Sequence, residues 1–214
     1  WIDALKGWGI SLIFVGHIWA LDERSWFYDW LFAFHVPLFF FAAGLTLNLN
    51  NLPLLAYALR RTRQIMVPYF IYALLGYLLY AAGFLLTQSQ PNPPAPFNYG
   101  LWTPLFGIFE GRVGEGRLVN SPLWFLPALL ISLLVVRCIN QYCHRQQLRL
   151  FIVATIGGTA LFVADQVILP FSANAALIAV LLLQAGYQYQ NCDHALPETA
   201  GHRHVIIFGA VLFS

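Results

Sequence analysis

The amino-acid sequence predicts an all-α, polytopic transmembrane helix bundle. Of its 214 residues, 59% are hydrophobic and 9% are charged, and the mean hydropathy is +0.67. Several apolar runs approach or exceed the ~20 residues that a helix needs to cross the hydrocarbon of a bilayer. Helices are expected because they satisfy their own backbone hydrogen bonds in lipid. We therefore predict about seven spans in one transmembrane domain, residues 1–214, and exclude a soluble globular fold.

The predicted first span, residues 1–21, carries the ionisable side chains Asp3, Lys6 and His17. Eleven residues of α-helix make nearly a whole number of turns, so Lys6 and His17 share a face, roughly 16 Å apart along the axis. Asp3 projects close to the same line, and three glycines in the span permit helix packing, so this face is predicted to contact protein. An ionisable residue inside a span is costly, which favours a functional role for His17 over simple packing. Lys6 could equally snorkel to the headgroups.

The second predicted span, WLFAFHVPLFFFAAGLTLNL, places His35 before Pro37 and close to one membrane surface. Tryptophan and tyrosine residues at its start are typical of a membrane interface. Residues 48–64 are predicted to form a basic amphipathic stretch lying along the membrane surface, with its arginines as topological anchors. The third span is predicted over residues 65–87, where Pro68 falls near the helix start and is tolerated.

Residues 88–120 form the longest connection between predicted spans and are rich in proline and glycine. Loops of this length are usually functional or disordered. Their aromatic content predicts a segment folded against the membrane domain instead of a free linker. Its charged residues are Glu110, Arg112, Glu115 and Arg117. A solvated surface is the favoured interpretation of these four, with substrate contact as the alternative.

The fourth span is predicted from Ser121, where a Ser-Pro pair signals a helix start. The fifth covers residues 150–164, and the sixth covers residues 171–189 with Asn174 near its beginning. A seventh apolar run, residues 205–213, is too short to cross the bilayer. We therefore expect the sequence to be a fragment of a longer protein with further spans at its C-terminal end.

The distribution of basic residues predicts the orientation in the membrane. Counted on alternating sides of the predicted spans, eight of the 11 lysines and arginines fall on one side and three on the other. Because positive charge stays in the cytoplasm, the N-terminus is predicted to be cytoplasmic and the 88–120 loop to lie outside. The net charge of +2 and the lack of a long basic tract argue against a nucleic-acid partner.

Helix lengths predict that His17 and His35 lie at similar depth below the outer face. Three polar or aromatic residues begin the fourth and sixth spans from that same face: Ser121, Trp124 and Asn174. Two histidines are fewer ligands than a catalytic zinc normally has, so no metal is expected. A histidine titrates near neutrality and suits proton abstraction from a hydroxyl. Neither a GxSxG motif nor a phosphate-binding P-loop occurs.

Several stretches together carry a family resemblance. They are DALKGWGI from Asp3, GH at 16–17, FHVPLFFFAAG at 34–44, VPY at 67–69, SPLWFLPAL at 121–129 and AGY at 185–187. In this order they resemble the membrane-bound acyltransferase-3 family, specifically its fucose 4-O-acetylase-like branch of sugar acetyltransferases. The family's basic residue, ten intervening positions and histidine correspond to Lys6 and His17, and nearly the whole sequence is covered.

The resemblance implies transfer of an acetyl group from acetyl-CoA to a hydroxyl of a cell-envelope or exported glycan, or of its lipid-linked precursor. A bacterial inner membrane is the implied location, and the glycan and membrane lipids are the implied partners. His17 is then the general base and His35 a second base or oxyanion-stabilising donor. The resemblance assigns Asp3 and Lys6 to the donor. Ser121, Trp124 and Asn174, at the outer ends of their spans, are then expected to line the acceptor cavity, although the family pattern has an aspartate at the position of Asn174.

A transporter or exporter of glycan precursors is the alternative from another class, because charged membrane cavities serve both functions. Transporters often carry paired broken helices in two related halves, and the sequence shows no such pair. A purely structural scaffold is a third alternative, and it leaves the two histidines unexplained. The acceptor sugar, the hydroxyl that is modified and the oligomeric state do not follow from the sequence.

Overall fold

The computed structural model describes residues 2–19, 26–49, 52–89, 97, 99–164 and 166–193. Every regular element in these ranges is a helix. The α-helices are α1 (Ile2–Trp19), α2 (Trp26–Leu45), α3 (Leu54–Thr87), α4 (Trp102–Glu110), α5 (Phe125–Tyr142), α6 (Gln146–Val163) and α7 (Ala173–Asp193). Single 3₁₀ turns, Ser121–Trp124 and Pro170–Ser172, precede α5 and α7.

The helices confirm the predicted fold class. The first six predicted spans all lie on long helices, whereas residues 205–213 fall outside the described residues. Within the described ranges, four helical segments are long and apolar enough to cross a bilayer: Leu54–Thr87, Ser121–Tyr142, Gln146–Val163 and Pro170–Asn191. A shorter apolar helix, Ala33–Leu45, forms part of α2. This composition is that of a polytopic helical membrane protein.

The chain divides into two compact units. The first comprises Trp1–Asn48 with Leu182–Ser214, and the second comprises Leu49–Leu181. In the first unit α1 packs against α2, and Gly9 lies beside the Phe39 ring. The C-terminal part of α7 crosses α2 at two glycines. A Cβ on Gly44 would lie 2.1 Å from the Leu183 carbonyl oxygen, and one on Gly186 would lie 2.2 Å from the Phe41 carbonyl oxygen. Only glycine permits two backbones to approach so closely.

In the second unit, α3 corrects the prediction for residues 48–64. The basic stretch does not form a separate segment lying on the membrane surface. It is the first part of α3, which continues through Pro68 for 34 residues. At 1.5 Å per residue such a helix is about 51 Å long, well over the ~30 Å of hydrocarbon. Helix continuity outweighs the single hydrogen bond that a proline removes.

Contacts near the two ends of α5 set its register against α3. The Arg137 guanidinium near the end of α5 lies over the Tyr57 ring, 5.7 Å from its centroid. At the other end, Asn120, just before the 3₁₀ turn that leads into α5, lies beside Gly76. The part of α3 that pairs with α5 is therefore residues 57–76.

The second half of α3 is covered by the connection that follows it. Tyr80 Oη donates to the Gly100 carbonyl, 3.1 Å away, and the Tyr80 ring lies 5.5 Å from the Phe97 ring. Nearer the middle of α3, the Tyr69 hydroxyl donates to the Ile108 carbonyl of α4. The prediction that this connection folds against the membrane domain is confirmed for residues 97 and 99–120, while residues 90–96 and 98 lie outside the described part of the chain.

In the second unit, a buried polar contact joins α5 to α7 and a close apolar contact joins α6 to α7. Ser132 Oγ, fully buried in α5, donates toward the carbonyls of Ala128 and Ala176, at 2.9 and 2.8 Å. This ties α5 to the beginning of α7. Gly157 in α6 admits the Leu181 side chain of α7. These contacts fix how far α5 and α6 are shifted along α7.

We predict that Gly44→Ala destabilises the protein by about 1–3 kcal/mol, because the added methyl group collides with backbone atoms that cannot turn aside. The matched control is Gly158→Ala in α6, where a Cβ meets nothing within 4 Å. Alanine favours helix there, so stability should stay equal or rise. Thermal unfolding of the detergent-solubilised variants, followed by tryptophan fluorescence, measures both. Equal midpoints for the two variants would contradict the close crossing of α2 and α7.

Candidate functional site

The predicted site residues divide between the two units. The first unit contains Asp3, Lys6, His17 and His35, and the second contains Ser121, Trp124 and Asn174.

In the first unit, the predicted donor-binding residues occupy the beginning of α1. Asp3 is exposed and Lys6 is half-buried. His17 belongs to the last turn of the same helix, so its backbone is roughly 16 Å farther along the axis. The His17 side chain lies outside the described part of the structure. One helix therefore carries a cationic end and, eleven residues on, the predicted base.

His35 lies in the apolar interior of α2, three per cent exposed. A buried imidazole is unfavourable unless it has an interaction partner, and His35 has one. α1 packs against α2, and the Phe39 ring of α2 lies beside Gly9. The similar depth of His17 and His35 stays a prediction, because the His17 side chain is not among those that the structure describes.

In the second unit, the short turn Ser121–Trp124 contributes the first two predicted acceptor residues. Ser121 is half-buried. Trp124 packs against a buried apolar cluster formed by Tyr69, Ala73, Ile108, Leu118 and Leu123. The indole therefore helps to hold α5 against α3 and α4, in addition to any contact with a substrate.

Asn174 holds the loop that leads into α7. The Leu169 N–H donates to its Oδ1 at 2.8 Å, and its Nδ2 donates to the Val167 carbonyl at 2.5 Å. Both ends of the amide thus have backbone partners within the loop. These two hydrogen bonds give Asn174 a structural role in the loop that does not require contact with a substrate.

Tyr69 is a residue of this region to which the sequence analysis gave no role. It is fully buried in α3, and its Oη donates to the Ile108 carbonyl of α4 at 2.6 Å. A proline precedes it in the VPY stretch, and this was the available signal.

The segment before α7 also contains backbone strain that no sequence pattern announced. Phe171 and Ser172 have φ values of 55° and 52°, which side chains other than glycine rarely adopt. Two contacts hold them there. Ser172 Oγ donates to the Gly111 carbonyl at 2.8 Å, and the Phe171 ring packs 6.5 Å from the Tyr69 ring. The strain is therefore supported by packing against α4.

The four charged residues of the connection form a balanced ionic network. Arg112 Nε donates to one carboxylate oxygen of Glu110 at 2.9 Å, and Arg117 Nη1 donates to the other oxygen. Glu115 lies within 3.4 Å of Arg117 and 3.6 Å of Arg112. Glu115 is 76% exposed, and the other three side chains are 22–34% exposed. The two arginines and two glutamates balance each other's charge and hold the turn after α4. These four residues therefore form a structural ion-pair network and not merely a solvated surface.

Among the residues whose side chains the structure describes, no three histidine, cysteine, aspartate or glutamate residues lie close enough together to hold a metal ion. The described cysteines, Cys138 and Cys143, are both free thiols.

A family model described as "Acyltransferase domain" matches residues 1–171. The chain belongs to the acyltransferase-3 family. The match contains six of the seven predicted site residues and ends three residues before Asn174. No curated protein and no solved structure matches the sequence. Family membership and the apolar helices together make this a membrane acyltransferase.

We predict that Tyr69→Phe lowers the free energy of unfolding by about 1–2 kcal/mol, because the Ile108 carbonyl loses its buried donor. Tyr72→Phe is the matched control three residues away, since Tyr72 is 55% exposed and makes no described hydrogen bond. Its unfolding midpoint should stay within experimental error of the parent protein. Thermal unfolding in one detergent compares the two. A Tyr72→Phe loss as large as that of Tyr69→Phe would show that the Ile108 bond is not the cause.

Proposed function

We propose that this acyltransferase moves an acetyl group from acetyl-CoA to a hydroxyl of a cell-envelope or exported glycan, or of its lipid-linked precursor. The observation that carries the proposal is the family match over residues 1–171, which includes the first two helices and both histidines. The burial of His35 within an apolar helix supports a chemical use for it. The finer assignment to sugar acetylation is supported by the sequence resemblance described above.

The chemistry requires a base that accepts one proton and later returns it. In our proposal His17 takes the proton of the acceptor hydroxyl while the oxygen attacks the thioester carbonyl. Collapse of the tetrahedral intermediate breaks the carbon–sulfur bond and releases CoA, which leaves as the thiol once it is protonated. His35 serves as a second base or donates to the oxyanion of the intermediate.

The donor and acceptor assignments complete the proposal. Lys6, with Asp3 beside it, meets the donor at the beginning of α1, because a distance of roughly 16 Å is too great for Lys6 to contact the hydroxyl that His17 deprotonates. Ser121, Trp124 and Asn174 contact the acceptor. Trp124 and Asn174 also have the packing and loop contacts described above, so their replacement will affect folding as well.

We predict that His17→Ala lowers the rate of acetyl transfer by about 10²- to 10⁴-fold, the usual cost of losing a general base. Stability should fall by only about 1–3 kcal/mol. In the parent protein the rate should decrease as the pH falls through the pKa of the histidine, because protonation removes the lone pair that accepts the hydroxyl proton. The measurement is transfer of radiolabelled acetyl groups from acetyl-CoA to envelope glycans at several pH values, with full-length protein in membranes.

Three variants in that assay separate the proposed roles. His35→Ala should also impair transfer, whereas Lys6→Ala should mainly raise the acetyl-CoA concentration needed for half-maximal rate. The yield of solubilised, monodisperse protein controls for folding. Near-normal turnover in His17→Ala would make His35 the base to test. Full activity in both histidine variants would move the assignment to a transporter of glycan precursors.

We further propose a bacterial inner-membrane location, which the sequence resemblance implies, and a cytoplasmic N-terminus, which the eight-to-three distribution of basic residues supports. Single cysteines introduced in a cysteine-free background test the orientation. A cysteine replacing Tyr99 should react with an impermeant thiol reagent added to intact cells. One replacing Arg145 should react only after the cells are opened. The opposite pattern would reverse the orientation and the placement of the donor.

A further inference from the structure

Arginines are concentrated at one end of the second unit, where α3 begins, α5 ends and α6 begins. Six lie within residues 60–63 and 137–149: Arg60, Arg61, Arg63, Arg137, Arg145 and Arg149. The sequence contains no aspartate or glutamate in residues 30–109 or 116–164. Glu110 and Glu115, farther along, pair with Arg112 and Arg117. This basic end therefore has no carboxylate in its own helices to balance it.

Three of these arginines form a cluster around the Tyr57 ring and the last turns of α5. Arg61 and Arg137 both lie over that ring, 5.5 and 5.7 Å from its centroid. Arg149 Nη1 donates to Asn140 Oδ1 at 2.7 Å. Since Asn140 follows Arg137 by three residues on one helix, the Arg137 and Arg149 side chains converge on the same face of α5. We call Tyr57, Arg61, Arg137 and Arg149 the arginine cluster.

The cluster holds more hydrogen-bond donors than the surrounding protein satisfies. Arg137 Nη2 donates to the Leu52 carbonyl at 2.8 Å, but Arg137 Nε and Arg149 Nε are buried without a protein partner. The Arg61 guanidinium lies close enough to the Tyr57 hydroxyl oxygen to donate to it, but the proton of this hydroxyl, on a residue four per cent exposed, has no protein acceptor. The Gln141 amide oxygen, one turn beyond Arg137, is an unpaired acceptor, but one oxygen cannot serve three donors. A rotation of the arginine side chains toward an anion would recover the free energy that these unpaired donors cost.

A phosphate group fits this donor set better than a carboxylate does. Its oxygens accept bidentate bonds from guanidinium groups and have capacity for a tyrosine hydroxyl as well. Its charge would also relieve the repulsion between two cations that share one aromatic ring. Exposed apolar side chains flank the cluster on α3 and α6: Leu55, Leu59, Leu148 and Phe151. A phosphate at this position can therefore have an acyl chain or a polar body attached.

We infer that the arginine cluster binds the phosphate of an anionic ligand, held by Arg137 and Arg149 with Tyr57 and Arg61 beside them. The ligand is either an anionic phospholipid of the surrounding membrane or the phosphorylated part of coenzyme A. The second source depends on the proposed function, whereas the first does not.

The test is saturable binding to the full chain purified in a neutral detergent. The probes are short-chain phosphatidylglycerol, with zwitterionic phosphatidylcholine as its control, and coenzyme A, with its 3′-dephospho form as control. Native mass spectrometry or a ligand-induced shift of the unfolding midpoint reports binding. We expect Arg137→Gln and Arg149→Gln to weaken binding of the recognised probe about tenfold or more, since each removes a charged, bidentate donor.

Arg145→Gln is the matched control, because it removes the same charge from an exposed neighbour that has no described side-chain partner. It should weaken binding less than about threefold, as expected for a screened charge. Tyr57→Phe keeps the aromatic ring and removes only the hydroxyl, and it should give an intermediate loss. It also decides the question if Arg137→Gln fails to fold. The unfolding midpoint without ligand, measured for every variant, controls for folding.

Binding of phosphatidylglycerol alone would identify a lipid site, and binding of coenzyme A alone would identify the donor. Either result supports the arginine cluster. If Arg145→Gln and Arg137→Gln weakened probe binding equally, the binding would depend only on the general positive charge of this end, and the inference would be overturned. Absence of saturable binding by both probes would overturn it too. Acetyl transfer that persists in that case would show that the proposed function survives without this site.

Discussion

The hydrocarbon of a membrane offers no hydrogen-bond partners, so each polar group that these helices bury must find its partner within the protein. Tyr69 and Ser132 show how this requirement organises the second unit. The Tyr69 hydroxyl fixes α4 against α3, and the Ser132 hydroxyl fixes α5 against α7. Both bonds join elements that apolar packing alone would leave free to slide. The positions of the two 3₁₀ turns, and of the predicted acceptor residues on and beside them, follow from these contacts.

The same requirement makes buried polar groups without a protein partner candidates for binding a ligand. At the α4 end of the second unit, Glu110 and its neighbours balance their charges within one turn. At the basic end, Arg137, which lies over the Tyr57 ring, and Arg149 keep unpaired donors, with no carboxylate in α3, α5 or α6. One end of the unit is thus electrostatically complete by itself, and the other is suited to an anion from outside the chain. This difference supports the phosphate site that we infer.

In the first unit, the ionisable side chains of interest lie on α1 and α2. Lys6 and His17 lie on one helix, and His35 lies buried on the next. Glycines at the crossing of α2 and α7 bring two backbones almost into contact and leave little freedom for α2 to shift. A fixed α2 also fixes His35, and catalytic side chains require such support from rigid elements. The acyltransferase family to which the chain belongs gives these residues a chemical context.

The sequence by itself determined the fold class, the six long helices α1–α3 and α5–α7, and the family, because hydrophobic length and local spacing are properties of short segments. It also indicated that the aromatic connection after α3 packs against the membrane domain. It placed the basic stretch of α3 wrongly, because whether Pro68 interrupts a helix depends on tertiary contacts. The pairing of residues 57–76 with α5 and the loop contacts of Asn174 required the tertiary structure. Each depends on how far one helix slides along another, and that distance is set by contacts between residues far apart in the chain.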